Sequence, residues 1–157
     1  MSRENREVLA DWLMVAGAAA LFASLFMTWS HQLSRATHAY FGTFDPLRDI
    51  PSDATAWQVY SAADVAMALL AAGLLGVALI GPRRSRIVAL VGSLVALAFT
   101  LHALSAPPAN GGATVFKPTL AVPSTVSLSP TAGPGETLAI LALLVTIAGL
   151  GLSFTAD

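Results

Sequence analysis

The chain reads as an all-α membrane protein, with four transmembrane helices in an antiparallel bundle and two long extracytoplasmic loops. Three observations predict this. First, 55% of the 157 residues are hydrophobic and only 11% are charged, whereas a soluble domain carries about 25% charged residues. With a mean hydropathy of +0.71, the chain cannot clothe a water-facing surface, so the lipid bilayer is its expected environment. Second, two apolar runs, 62–80 and 87–104, are joined by Gly81-Pro82-Arg83-Arg84-Ser85-Arg86. Each can cross a membrane, since ~18–20 helical residues rise about 27–30 Å. Third, one further apolar run lies on either side, at 12–29 and 137–154. The expected layout is a single domain over 1–157 with spans at about 12–29, 62–80, 87–104 and 137–154 and outer loops at 30–60 and 105–136.

The bulk numbers also exclude function classes. A net charge of −1 without a basic tail argues against nucleic-acid binding. The absence of cysteine rules out disulfides, thiol catalysis, iron–sulfur clusters and thiolate metal sites.

In chain order, the polar start through Glu7 leads into the first run. A signal peptide is the competing reading, because Arg3 and Arg6 precede an apolar stretch containing Ala18, Ala19 and Ala20. The run is longer than an ordinary signal core and acids mingle with the arginines, which favours an uncleaved span. Trp12 and Trp29 would then mark the two membrane interfaces. The first loop holds Tyr40, Phe41, Phe44, Leu47 and Ile50, too many apolar residues for a loose tether, and is expected to form a compact cap. Asp45-Pro46 would start a short helix there, and Pro51 would stop it.

The second loop has six prolines and four glycines, with Lys117 and Glu136 as its only charges. It is expected to be extended, with short β segments near Val115-Phe116 and Val126-Ser127-Leu128, and to lean on the first loop. Orientation follows from the basic residues. Arg3, Arg6, Arg83, Arg84 and Arg86 sit in short segments on one side, while Arg35, Arg48 and Lys117 are spread over the two long loops. Both termini are therefore expected to be cytoplasmic. Gly73 and Gly76 with Ala72, Gly92 with Ala96, and Gly149 with Ala142 and Thr146 supply small faces for helix packing, within the chain or between copies.

Asp64 is the first candidate for chemistry. Ser61-Ala62-Ala63-Asp64 fits a capping-box start, with Asp64 near the positive helix end. Alternatively Asp53 caps a longer helix, placing Trp57, Tyr60 and Asp64 on one face. An ionisable group at membrane depth carries a functional hypothesis by default. His102 lies at a similar depth near the end of the third span and could meet Asp64 in a small outward-facing polar site. A metal centre would need three or four converging ligands, and no such spacing joins His31, His38 and His102. Asp45, Asp49 and Asp53 recur every four residues, but Pro46 and Pro51 break the helix that would align them. No nucleophile, phosphate-loop or dinucleotide motif is present. The spans carry no acid or base between their interfacial ends, which disfavours transport. At the outer interface, Trp29, Trp57 and Tyr60 are expected at one level, with Phe44 packed on that layer or on a partner.

Phe26-Met27-Thr28-Trp29 closing the first span and Ala54-Thr55-Ala56-Trp57-Gln58…Asp64 opening the second resemble a group of small bacterial four-span membrane proteins. The proline usual before the first-span tryptophan is missing here. The resemblance implies a membrane protein and carries over no activity or functional residue. The expected function is a non-enzymatic accessory or scaffold subunit that uses no cofactor and presents its outer cap to another membrane protein or to a second copy. The alternative is a small-ligand or ion sensor built around Asp64 and His102.

Overall fold

The computed structural model describes residues 3–31, 53–105 and 131–156. Within them the order is α1 (Arg3–Ser24), β1 (Thr28–His31), β2 (Asp53–Thr55), α2 (Ala56–Val59), α3 (Ser61–Ile80), α4 (Arg83–Ser105), β3 (Thr131–Ala132) and α5 (Pro134–Ala156). Four of these helices are long and apolar enough to cross a membrane.

Each long helix buries a stripe whose members alternate three and four residues apart. On α1 it is Ala10, Met14, Gly17, Leu21 and Ser24. On α3 it is Asp64, Met67, Ala71, Leu74 and Ala78. Ala89, Ser93, Ala96, Thr100 and Ala103 form it on α4, and Glu136, Ala139, Leu143, Thr146, Leu150 and Ser153 on α5. This mean repeat of about 3.5 residues keeps one seam facing its neighbours when helices cross at a small angle. The stripes are rich in Ala, Gly, Ser and Thr, which let backbones approach where water supplies no driving force.

Contact is uneven. The most extensive seam joins α1 to α5; α1 also packs on α3, and α4 on α5, while the seam between the sequence neighbours α3 and α4 is the smallest of the four. Thr146 and Ala142 of α5 lie against Gly17, and Gly149 lies against Ala10 and Met14, so the two helices run antiparallel.

Two expected boundaries shift. The first helix begins before Trp12 and stops at Ser24, so Trp29 stands on a strand instead of closing a helix. The link between α3 and α4 shrinks to Gly81 and Pro82, and the three arginines fall in the first turns of α4. Gly81 is needed there, because a Cβ would stand 2.6 Å from the Val77 Cα. Cations at a helix N-terminus oppose its dipole. One is offset by Asp11 of α1, whose carboxylate receives the Arg86 guanidinium at 3.3 Å.

At the opposite end a small antiparallel sheet has the order β2-β1-β3. It joins the chain on both sides of segment 32–52 and the end of segment 106–130. The expected short helix near Asp45, the packing of Tyr40, Phe41 and Phe44, and the β segments near Val115 and Val126 lie outside the described residues.

Candidate functional site at the sheet end

The sheet places Trp29. Along β1 and β2, Thr28 faces Thr55 and Ser30 faces Ala54, leaving Trp29 as the extra residue of a bulge. A bulge re-aims the side chain it carries, and Trp29 is fully buried. Its indole Nε1–H donates to the Ser24 carbonyl at 2.8 Å, which satisfies both the ring and an end carbonyl of α1. The Gly133 N–H donates to the Trp29 carbonyl at 2.8 Å. At Gly135, a Cβ would collide with the indole ring. Thus Ala132-Gly133-Pro134-Gly135 lets the start of α5 lie directly on β1 and its tryptophan. Proline at the first helical position suits the helix start, because its missing N–H would have no helical partner there.

Beneath the sheet the aromatic rings form a chain. Trp29 meets Tyr60 edge-on at 6.2 Å, and Tyr60 meets Phe99 of α4 at 5.2 Å. Trp57 packs instead on Phe26 at 6.1 Å, farther out, where both rings are exposed. The three rings therefore differ in burial, Trp29 fully buried, Tyr60 partly buried and Trp57 exposed.

Two carboxyl groups sit among these elements. Asp64 heads the buried stripe of α3 and Glu136 heads that of α5; both side chains are 0% exposed. Neither carboxyl group makes a hydrogen bond among the described residues. Tyr60 lies within electrostatic reach of both. Its half-buried phenol is pushed above its ordinary pKa by burial first, then by Glu136 and then by Asp64. The Asp64 backbone N–H donates to the Tyr60 carbonyl at 2.9 Å, an ordinary helical bond. Asp64 does not close a capping box as the sequence suggested. The reciprocal start belongs to α2, where the Thr55 N–H donates to Gln58 Oε1 at 3.0 Å. Asp53 does not cap a longer helix either; it lies on β2, where its carboxylate pairs with His31 Nδ1.

His102 is exposed on α4, and the structure does not bring it to Asp64, whose carboxyl oxygens have no hydrogen-bond partner among the described residues. Phe44 lies outside the described residues. Glu136 is the residue sequence reasoning missed, because the last span was expected to begin at Thr137. Pro134 was the available signal, since proline at the first helical position moves the start of α5 one turn upstream. Among the described residues, no group of three or more His, Asp or Glu side chains could hold a metal ion.

Comparison with protein-family models, with curated proteins and with solved structures finds no match to this chain. The fold and site therefore define a class: a chain with four helices suited to cross a membrane and two buried acids at the end that carries its loops.

Proposed function

We propose that this chain is a four-helix transmembrane bundle of the bacterial cytoplasmic membrane, with both termini inside, acting as a non-enzymatic accessory or scaffold subunit. Its outer face presents one cap to a partner membrane protein. The observation that carries this reading is the sheet. β1 and β2 bracket the first loop and β3 ends the second, so both loops grow from one three-stranded platform. That platform is seated on α5 and on the aromatic layer below it. Two long connections rooted in one sheet suit recognition by a single partner better than two separately rooted tethers would. The arginines at the opposite end supply the cytoplasmic signal.

Single-cysteine labelling in intact cells tests the orientation. A cysteine replacing Thr131 should react with an impermeant maleimide, and one replacing Arg84 should react only after permeabilisation. The reverse pattern would refute the topology. The partner reading predicts co-purification of one larger membrane protein in mild detergent. Trp57→Ala should reduce its recovery several-fold while the chain's own melting temperature stays close to wild type. Undiminished recovery would remove the aromatic face from the cap.

A further inference from the structure

Asp64 and Glu136 are unusual beyond their burial. Several hydroxyls in the core satisfy themselves on nearby backbone: Thr100 donates to the Ala96 carbonyl at 3.1 Å, Thr146 to Ala142 at 2.9 Å and Ser153 to Leu150 at 2.7 Å, while the buried Ser93 Oγ, a neutral group, goes unpaired among the described residues. The two carboxyl groups have no such partner. They head separate helices at the same end of the molecule, linked through Tyr60, Trp29 and Gly135. An ionised carboxylate removed from water without a cation or a donor is among the most expensive groups a fold can hold.

Every described element packed against them leaves them unpaired. α1 ends in Leu21, Phe22, Ala23 and Ser24 and offers no cation. α4 offers Phe99 and Thr100 to the interior while His102 is exposed. On the sheet, His31 is engaged by Asp53, and Tyr60 is the remaining titratable group among the described residues that faces them. A hard metal ion needs about six oxygen ligands, far more than the described residues converge here. Three cavities bounded by described residues lie between α3 and α4, at the arginine end, and beside Trp12; neither carboxyl group lines any of them. A proton needs no such space.

We propose that Asp64 and Glu136 form a proton-responsive site. As neutral acids they complete the packed sheet end. Their ionisation loosens the first turns of α3 and α5, on which the roots of both loops stand. Proton supply at the outer surface would then be read out as tightening or loosening of the cap's platform. This inference rests on the burial of the two side chains and, for the side from which protons arrive, on the topology proposed above, but not on the identity of any partner.

The test uses the full chain in detergent micelles, as wild type, Asp64→Asn, Glu136→Gln and the double variant. Melting temperature is compared at about pH 5 and about pH 8, the range in which folded proteins are usually most stable. The wild type should lose more than about 4 °C on going to the higher pH, a shift expected for the loss of one modest interaction. In the double variant this step should vanish, and it should melt above the wild type at the higher pH. Histidine ordinarily titrates in this window, so His31→Gln and His102→Gln are controls that should leave the step in place. Hydrogen exchange, corrected for intrinsic rates, should show faster opening at the higher pH confined to the starts of α3 and α5. A flat wild-type profile, a step that survives in the double variant, or amide variants less stable than wild type at both pH values would each overturn the proposal. So would full restoration of the high-pH wild type by sodium or calcium, which would make this a metal-ion site.

Discussion

The seam between α1 and α5 and the seam between α3 and α4 are built from the same residue types and behave differently. On the first, Gly17 and Gly149 are notches. A Cβ on Gly17 would collide with Thr146 Oγ1 and stand 2.8 Å from the Ala142 carbonyl oxygen, and one on Gly149 would stand 2.8 Å from that of Ala10. On the second, Gly92 meets only the tip of Leu70 at 3.1 Å, and Gly73 and Gly76 have nothing within 4 Å. Between α3 and α4 an apolar groove of about 630 Å³ runs past Met67, Leu69, Val95 and Phe99. A small residue in an apolar helix permits close approach without enforcing it. The short link of Gly81 and Pro82 ties α3 and α4 at one end, and along their length they touch through side-chain tips such as Leu70. The α1–α5 seam instead interlocks over most of its length.

Removing one large side chain from the buried core and one from the α3–α4 groove should give the greatest contrast. Leu143 is fully buried and Leu69 is 68% exposed. Leu143→Ala should destabilise the fold by about 2 kcal/mol or more, chiefly through the cavity left behind, whereas Leu69→Ala should stay within about 0.5 kcal/mol of wild type. Reversible unfolding in mixed micelles measures both. Equal losses would mean that the groove closes in the bilayer.

Adding one methyl group is the finer probe. Gly17→Ala and Gly149→Ala should each cost about 1–3 kcal/mol through overpacking against backbone. Gly73→Ala and Gly76→Ala should be neutral or stabilising by up to about 1 kcal/mol, because alanine is the better helix former and the space is open. Destabilisation by the second pair, seen only at high protein density in the bilayer, would mean that α3 packs on another chain there.

The smallest expected effect lies at the arginine end. Arg86 and Asp11 are partly exposed, so Arg86→Ala should change stability by no more than about 1 kcal/mol, and added salt should remove the difference. A larger, salt-insensitive loss would show that this ion pair holds α4 against α1, a brace the α1–α5 seam does not need.

What the sequence determined by itself is the set of four apolar helices and the segments between them. Helical hydrogen bonds are local and a lipid-facing surface is apolar throughout, so run length alone nearly fixes where such helices lie. The same uniformity hides which face turns inward. Lipid and core are equally apolar, so no polar stripe separated Gly17 and Gly149, which are packed, from Gly73 and Gly76, which are open. Trp29 looked like the end of a membrane helix because its neighbours are apolar. Its place at a strand bulge depends on pairing with β2 and β3, far along the chain. Asp64 was legible as an acid at membrane depth, yet its solitude depends on what α1, α4 and the sheet fail to offer it. Glu136 read as a loop charge until contact between Gly135 and the Trp29 indole drew the start of α5 beneath the sheet. Tertiary structure alone decided these points, because each turns on contacts between residues distant in sequence, which no local pattern encodes.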